Sequence, residues 1–128
     1  MTIERVKKVP GPEHPITIEP EARTVTVVAG GRTIARSNRA LLLCEANYPP
    51  VYYIPREDVD RTHWIRSDYQ TYCPYKGDCH YYTIPTDRGV SLNAVWTYEA
   101  PFPAVAAIRD HLAFYPDRVD SIALDAAH

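Results

Sequence analysis

TYCPYKGDCHYY, Thr71 to Tyr82, packs two cysteines, a Lys-Gly pair, a histidine and four tyrosines into twelve residues. Read as a loop it is a metal, thiol or anion site; read as a turn it joins two aromatic strands. Its downstream half favours strand, because His80–Ile84 is rich in aromatic and β-branched residues. Thr86-Asp87-Arg88-Gly89 then reads as a turn, and Leu92–Tyr98 as the returning strand. Alternation puts Leu92, Ala94, Trp96 and Tyr98 on one face of that strand. Paired as a hairpin, the two strands bring Trp96 beside Tyr81 or Tyr82. The upstream half, Tyr72–Gly77, reads as a structured loop, with Cys73 before Pro74 and Lys76 before Gly77.

The rest of the chain is punctuated by twelve prolines, which forbid long helices. Ile16–Glu19 alternates apolar and polar residues. Thr24–Val28 and Arg32–Ala35 flank Ala29-Gly30-Gly31, where glycine supplies the positive φ of a hairpin turn; no helix follows to make it a phosphate loop. Ser37–Cys44 fits either a helical turn or a buried strand. Val51–Ile54 is a strand stopped by Pro55, Arg56–Val59 one helical turn, and Trp64–Arg66 a short strand. Pro103–Ile108 opens a helix running toward His111. Ala113–Tyr115 is a strand or the end of that helix, stopped by Pro116. The expected fold is mainly β, compact antiparallel sheets with one or two short helices. A loose segment, 1–15, precedes a single domain, 16–122, and a loose tail, 123–128.

A chain of 128 residues is large enough to bury one core. The net charge is −2, and the aromatic-rich residues 48–128 carry eleven Asp/Glu against seven Lys/Arg. That sign argues against nucleic acid, which selects a basic face. The longest apolar run, Ala40–Cys44, is far short of a bilayer span, so no membrane partner is expected. MTIERVKKVPGPEHP lacks the apolar stretch of a secretory signal. Three cysteines without regular spacing fit reduced thiols, and on these features together a cytoplasmic protein is expected. Eight of ten tyrosines fall between Tyr48 and Tyr82; an apolar ring with a polar tip suits the wall of a wet pocket.

Four chemistries compete for the quoted stretch. Zinc would draw on Cys73, Cys79, His80 and His63, but the paired C-x-x-C units that close on one ion are missing, and adjacent Cys79 and His80 point to opposite faces of a strand. No metal or other cofactor is expected. Cys73 as nucleophile or redox thiol, tuned by Lys76, needs a base that the sequence does not place. Lys76-Gly77 suits an anion, although the Walker pattern is absent. The fourth is an aromatic pocket of Tyr72, Tyr82, Trp96 and Tyr98 with Lys76 at its mouth. His14 and His128 fall in the loose ends and carry no signal.

V-Y-Y-I-P-R-E-D-V at 51–59, T-Y-C-P-Y-K-G at 71–77, Tyr81-Tyr82, V-W-T-Y at 95–98 and A-F-Y-P-D-R-V-D at 113–120 resemble the bacterial family catalogued as domain of unknown function 427. The resemblance spans about Thr17 to Asp120. It implies a mostly β fold similar to the Mss4-like or β-tent group, and no established activity. By position it marks Tyr53, Pro55, Asp58, Thr71, Cys73, Pro74, Lys76, Gly77, Tyr82, Trp96 and Tyr98. The family is also labelled nucleotidyltransferase-like, for which the residues offer little: Asp58-Val59-Asp60 has a metal-binding spacing but reads as the end of a helical turn.

The expected function is binding of a small anionic or planar ligand in the aromatic pocket near Lys76. The alternatives are an enzyme of unknown reaction built on Cys73, or nucleotidyltransferase-like activity. The expected state is a monomer, or a dimer through an exposed sheet edge.

Overall fold

The computed structural model describes residues 5–125. Ten strands run in chain order as β1 (Ile16–Pro20), β2 (Thr24–Ala29), β3 (Arg32–Ser37), β4 (Leu41–Glu45), β5 (Val51–Pro55), β6 (Ile65–Cys73), β7 (Gly77–Thr86), β8 (Gly89–Thr97), β9 (His111–Phe114) and β10 (Ser121–Asp125). They form a seven-stranded antiparallel sheet, ordered β1-β4-β5-β9-β8-β7-β6, and a three-stranded one, β10-β2-β3. The fold is therefore mainly β. Its helical turns are three 3-10 segments, Arg56–Asp58, Pro103–Ile108 and Pro116–Arg118. Among the described residues no helix is long and apolar enough to cross a membrane.

Period-two patterning builds the small sheet. Val25, Val27 and Ala29 on β2 are buried while Thr24, Thr26 and Val28 are only partly so, as expected of a strand with one covered face. Gly30 and Gly31 take φ of 59° and 74° and turn the chain into β3. The inward face of β2 meets Ile54, Ile84, Val95, Leu112 and Phe114 of the large sheet, giving a core between the sheets. A second core lies on the opposite face of the large sheet, where Leu43, Tyr53, Cys79, Tyr81, Tyr98 and Ala113 pack under Val105 and Ile108 of the Pro103–Ile108 segment. β5 serves both cores: Tyr53 points to one and Ile54 to the other.

Several expectations are corrected. The quoted stretch is not a loop leading to a strand but a long hairpin. β6 runs nine residues rather than three, through Tyr72 and Cys73, and β7 starts at Gly77. The loop is only Pro74-Tyr75-Lys76: Lys76 N–H donates to the Cys73 carbonyl (3.2 Å), and Gly77 takes φ 107° to rejoin the ladder opposite Cys73. Proline at the second turn position and glycine just after it is the local chemistry such a turn uses. The 37–44 ambiguity resolves to strand from Leu41, held by ladders to β1 and β5 on either side. The Pro103 helix is a kinked 3-10 segment that stops at Ile108, because Asp110 adopts φ 60° and His111 begins β9. β8 does not keep one face: Asn93 takes φ 50° beside a register shift. That leaves Leu92 exposed and puts Ala94 in the inter-sheet core, whereas Trp96 and Tyr98 face the other side.

Residues 5–15 and 123–125 make defined contacts with the rest of the fold. The boundary at residue 122 falls inside β10, whose Ile122 and Leu124 alternate inward. Before β1, Lys8 N–H donates to the Pro74 carbonyl (2.9 Å), the Tyr72 hydroxyl donates to the Val6 carbonyl (2.7 Å), and Arg5 pairs with Asp78 (2.6 Å). The segment thus lies along the β6–β7 hairpin. His128 lies outside the described residues.

Candidate functional site

On the face of the large sheet away from the small one, the second core does not close completely. It leaves a cleft of about 210 Å³, walled by Tyr53, Tyr81, Trp96, Tyr98 and Tyr115, with Glu45 and Lys76 at one side. Strand geometry accounts for the walls. Tyr81 stands directly opposite Trp96 in the β7–β8 ladder, so both rings rise from the same face. Trp96 Nε1–H donates to the Tyr53 hydroxyl (3.1 Å) and meets that ring edge-on at 89°, while Tyr115 leans on Trp96 with centroids 4.5 Å apart. Tyr81 and Thr71 share a hydroxyl–hydroxyl bond of 2.8 Å across the hairpin. Burial pushes the hydroxyls of Tyr53, Tyr81 and Tyr98 well above the usual tyrosine range.

The polar side of the cleft is an interlock of three separate segments. Glu45 ends β4, Lys76 ends the hairpin turn, and His14 comes from the segment before β1. Lys76 Nζ donates to Glu45 Oε1, and His14 Nε2–H donates to Glu45 Oε2 (2.7 Å). His14 also stacks on Tyr75 at 3.9 Å, with the rings 3° from parallel. The same turn therefore holds the Glu45 carboxylate by charge, through Lys76, and its other partner His14 by ring, through Tyr75. Lys76 is 8% exposed, which for lysine signals pairing. Burial raises the Glu45 carboxyl, but Lys76 and His14 outweigh it and hold the group below its usual value. The ammonium also lies 5.9 Å from the Tyr98 ring centroid. A lysine has three donors, so one spent on Glu45 leaves others for a guest.

Of the residues expected to line the pocket, Lys76, Trp96 and Tyr98 do so, and Tyr72 and Tyr82 do not. Tyr82 neighbours Tyr81 on β7 and so faces the other side, where it packs on Trp64 (5.8 Å) under the Arg66 guanidinium. Tyr72 is turned toward the N-terminal segment, beneath the Arg5 guanidinium (4.3 Å). Tyr53, marked by the family pattern alone, is a wall residue. Pro55 ends β5, Pro74 and Gly77 shape the turn, and Thr71 orients Tyr81. Asp58 accepts from Ser37 Oγ (2.6 Å) and Arg39 (2.9 Å), and the Asp60 carboxylate accepts from Thr62, so these two acids are committed separately. Among the described residues no three His, Cys, Asp or Glu side chains cluster closely enough to hold a metal ion.

Cys73 closes β6, partly buried against the second core. The ammonium expected to tune it is engaged by Glu45 instead. Cys79 is 1% exposed, and burial pushes its thiol up. Reading the sequence missed Glu45, His14 and Tyr115, and left Tyr81 as an alternative to Tyr82 beside Trp96. Glu45 left the clearest signal, a carboxylate following the apolar run Leu41–Cys44.

No curated protein matches the chain. The family model described as Domain of unknown function (DUF427) matches residues 17–125, which hold every strand but the first residue of β1. The chain belongs to that family.

Proposed function

We propose that the protein binds a small planar ligand in the tyrosine-walled cleft, with an acceptor edge of the ligand on Lys76. The observation that carries this reading is the buried Lys76–Glu45 pair at the side of an open aromatic cleft. A buried ion pair is weak support for stability compared with apolar residues of similar volume, so stability alone gives little reason for one here. As one side of a recognition site it supplies oriented donors that need no reorganisation when a ligand arrives. Of the two ligand classes expected, planar is favoured over anionic, because Glu45 already balances the lysine charge. The volume suits a single ring, below the usual range for drug-sized ligands of roughly 300–1,000 Å³.

The test compares benzamide, benzoate and inorganic phosphate by thermal shift. Benzamide, planar and neutral with a carbonyl acceptor, is expected to raise Tm by several degrees near 100 times its Kd, about 2.7 kcal/mol. Phosphate is expected to do nothing. Lys76→Met combined with Glu45→Gln, which leaves no charge stranded, removes the benzamide shift. A shift that survives this pair and Trp96→Ala, or none with any planar ring, overturns the reading.

A further inference from the structure

The large sheet is open beside the cleft. β5 and β9 register only at Ile54–Leu112 and Pro55–His111. Continued, that register would set Tyr53 opposite Ala113, Tyr52 opposite Phe114 and Val51 opposite Tyr115, and none of these pairs forms. The strands splay, and the indole of Trp96 stands at the splay, bonded to Tyr53 of β5 on one side and leaning on Tyr115 after β9 on the other.

On the far side of the splay lies a larger cavity of about 440 Å³, between the two sheets. Its lining is almost wholly apolar: Val27 and Ile122 from the small sheet, Tyr52, Ile54 and Phe114 from the large one, and Pro50 at the lip. Pro49, Val51 and Trp96 line this cavity and the polar cleft alike. A polar site and an apolar site therefore share a wall, at the point where the sheet that would separate them is unpaired.

We infer that the ligand is amphipathic, a planar polar head in the Lys76–Glu45 cleft carrying an apolar tail that passes Trp96 into the cavity between the sheets. The inference rests on the reading of the cleft proposed above. Each part of such a molecule meets matching chemistry: the head finds an ammonium and tyrosine walls, and the tail finds aliphatic and proline surface. A tail confined to the polar cleft would gain nothing there once the single ring had filled it.

The experiment measures Kd for benzamide and its 4-ethyl, 4-butyl and 4-hexyl derivatives by calorimetry. Affinity is expected to rise roughly fourfold per added CH2 until the cavity is filled. Ile122→Glu, which puts a carboxylate on the cavity wall, abolishes the gain with tail length while benzamide itself binds as before. A hexyl derivative with a terminal diazirine, photolysed in the unmodified protein, is expected to label residues around Val27, Pro50 and Ile122. Benzamide binding with no gain from the tail, or label found only elsewhere, overturns the amphipathic ligand and leaves the cleft reading standing. No binding by any member of the series overturns both.

Discussion

The carboxylate of Glu45 at the end of β4 receives the ammonium of Lys76 from a turn 31 residues further along the chain, and their side chains are only 11% and 10% exposed. Removing one partner of such a pair strands the other charge away from water, at a cost of about 3–5 kcal/mol. Glu45→Ala is therefore expected to destabilise the fold by about 3 kcal/mol, since some solvent remains. Glu45→Leu with Lys76→Met, apolar on both sides, costs far less than the single change. Urea unfolding of both variants checks this. Equal losses would show that the acid stabilises the fold through its His14 contact rather than through Lys76.

The same carboxylate makes stability depend on acid. Its folded pKa lies below the usual 4.5: burial acts upward, and the bonds from Lys76 and His14 act downward and prevail. Such a group contributes fully above about pH 4.5 and loses its contribution as pH falls through the folded value, because the unfolded chain takes up the proton first. Glu21, Asp58, Asp60 and Glu99 are depressed as well and share the acid limb. Unfolding free energies of Glu45→Gln between pH 7 and 3 are expected to fall less steeply than those of the unmodified protein. Parallel curves would mean that the pair is not formed in solution.

Local chemistry made much of this fold readable. The Gly30-Gly31 turn, the strand at Val51 and the β7–β8 hairpin each follow from residues within a few positions of one another. What failed was what depends on partners distant in sequence. Leu41–Glu45 is a strand because β1 and β5 flank it, and nothing within 37–44 says so. The choice between Tyr81 and Tyr82 is one residue of register, which flips every side chain to the other face. His14 was unreadable for the same reason: its partners, Glu45 and Tyr75, lie 31 and 61 positions away.

Thiol reactivity separates packing from chemistry at Cys73. Cys79, 1% exposed with its thiol pushed up by burial, is expected to resist iodoacetamide at pH 8 until the protein unfolds. Cys44 and Cys73, both partly exposed, label first and at comparable rates. Mass spectrometry of the native protein over time reads the order. Cys73 labelling more than tenfold faster than Cys44 would revive it as a nucleophile, since packing alone gives no such contrast.

At high pH the walls of the cleft become the weak point. Tyr53, Tyr81 and Tyr98 are held neutral, chiefly by burial, above the usual value of 10. Their contribution is complete below pH 10 and is lost as pH rises, because the unfolded chain ionises while the folded one resists. An absorbance titration is expected to show Tyr53, Tyr81 and Tyr98 ionising in a late step, only as the fold opens. Tyr98→Phe shrinks the late step. The titration also tests occupancy, because a ligand seated among these rings must be expelled before they ionise. Saturating benzamide should then move the late step upward, and a late step indifferent to benzamide would place the ring outside the tyrosine walls.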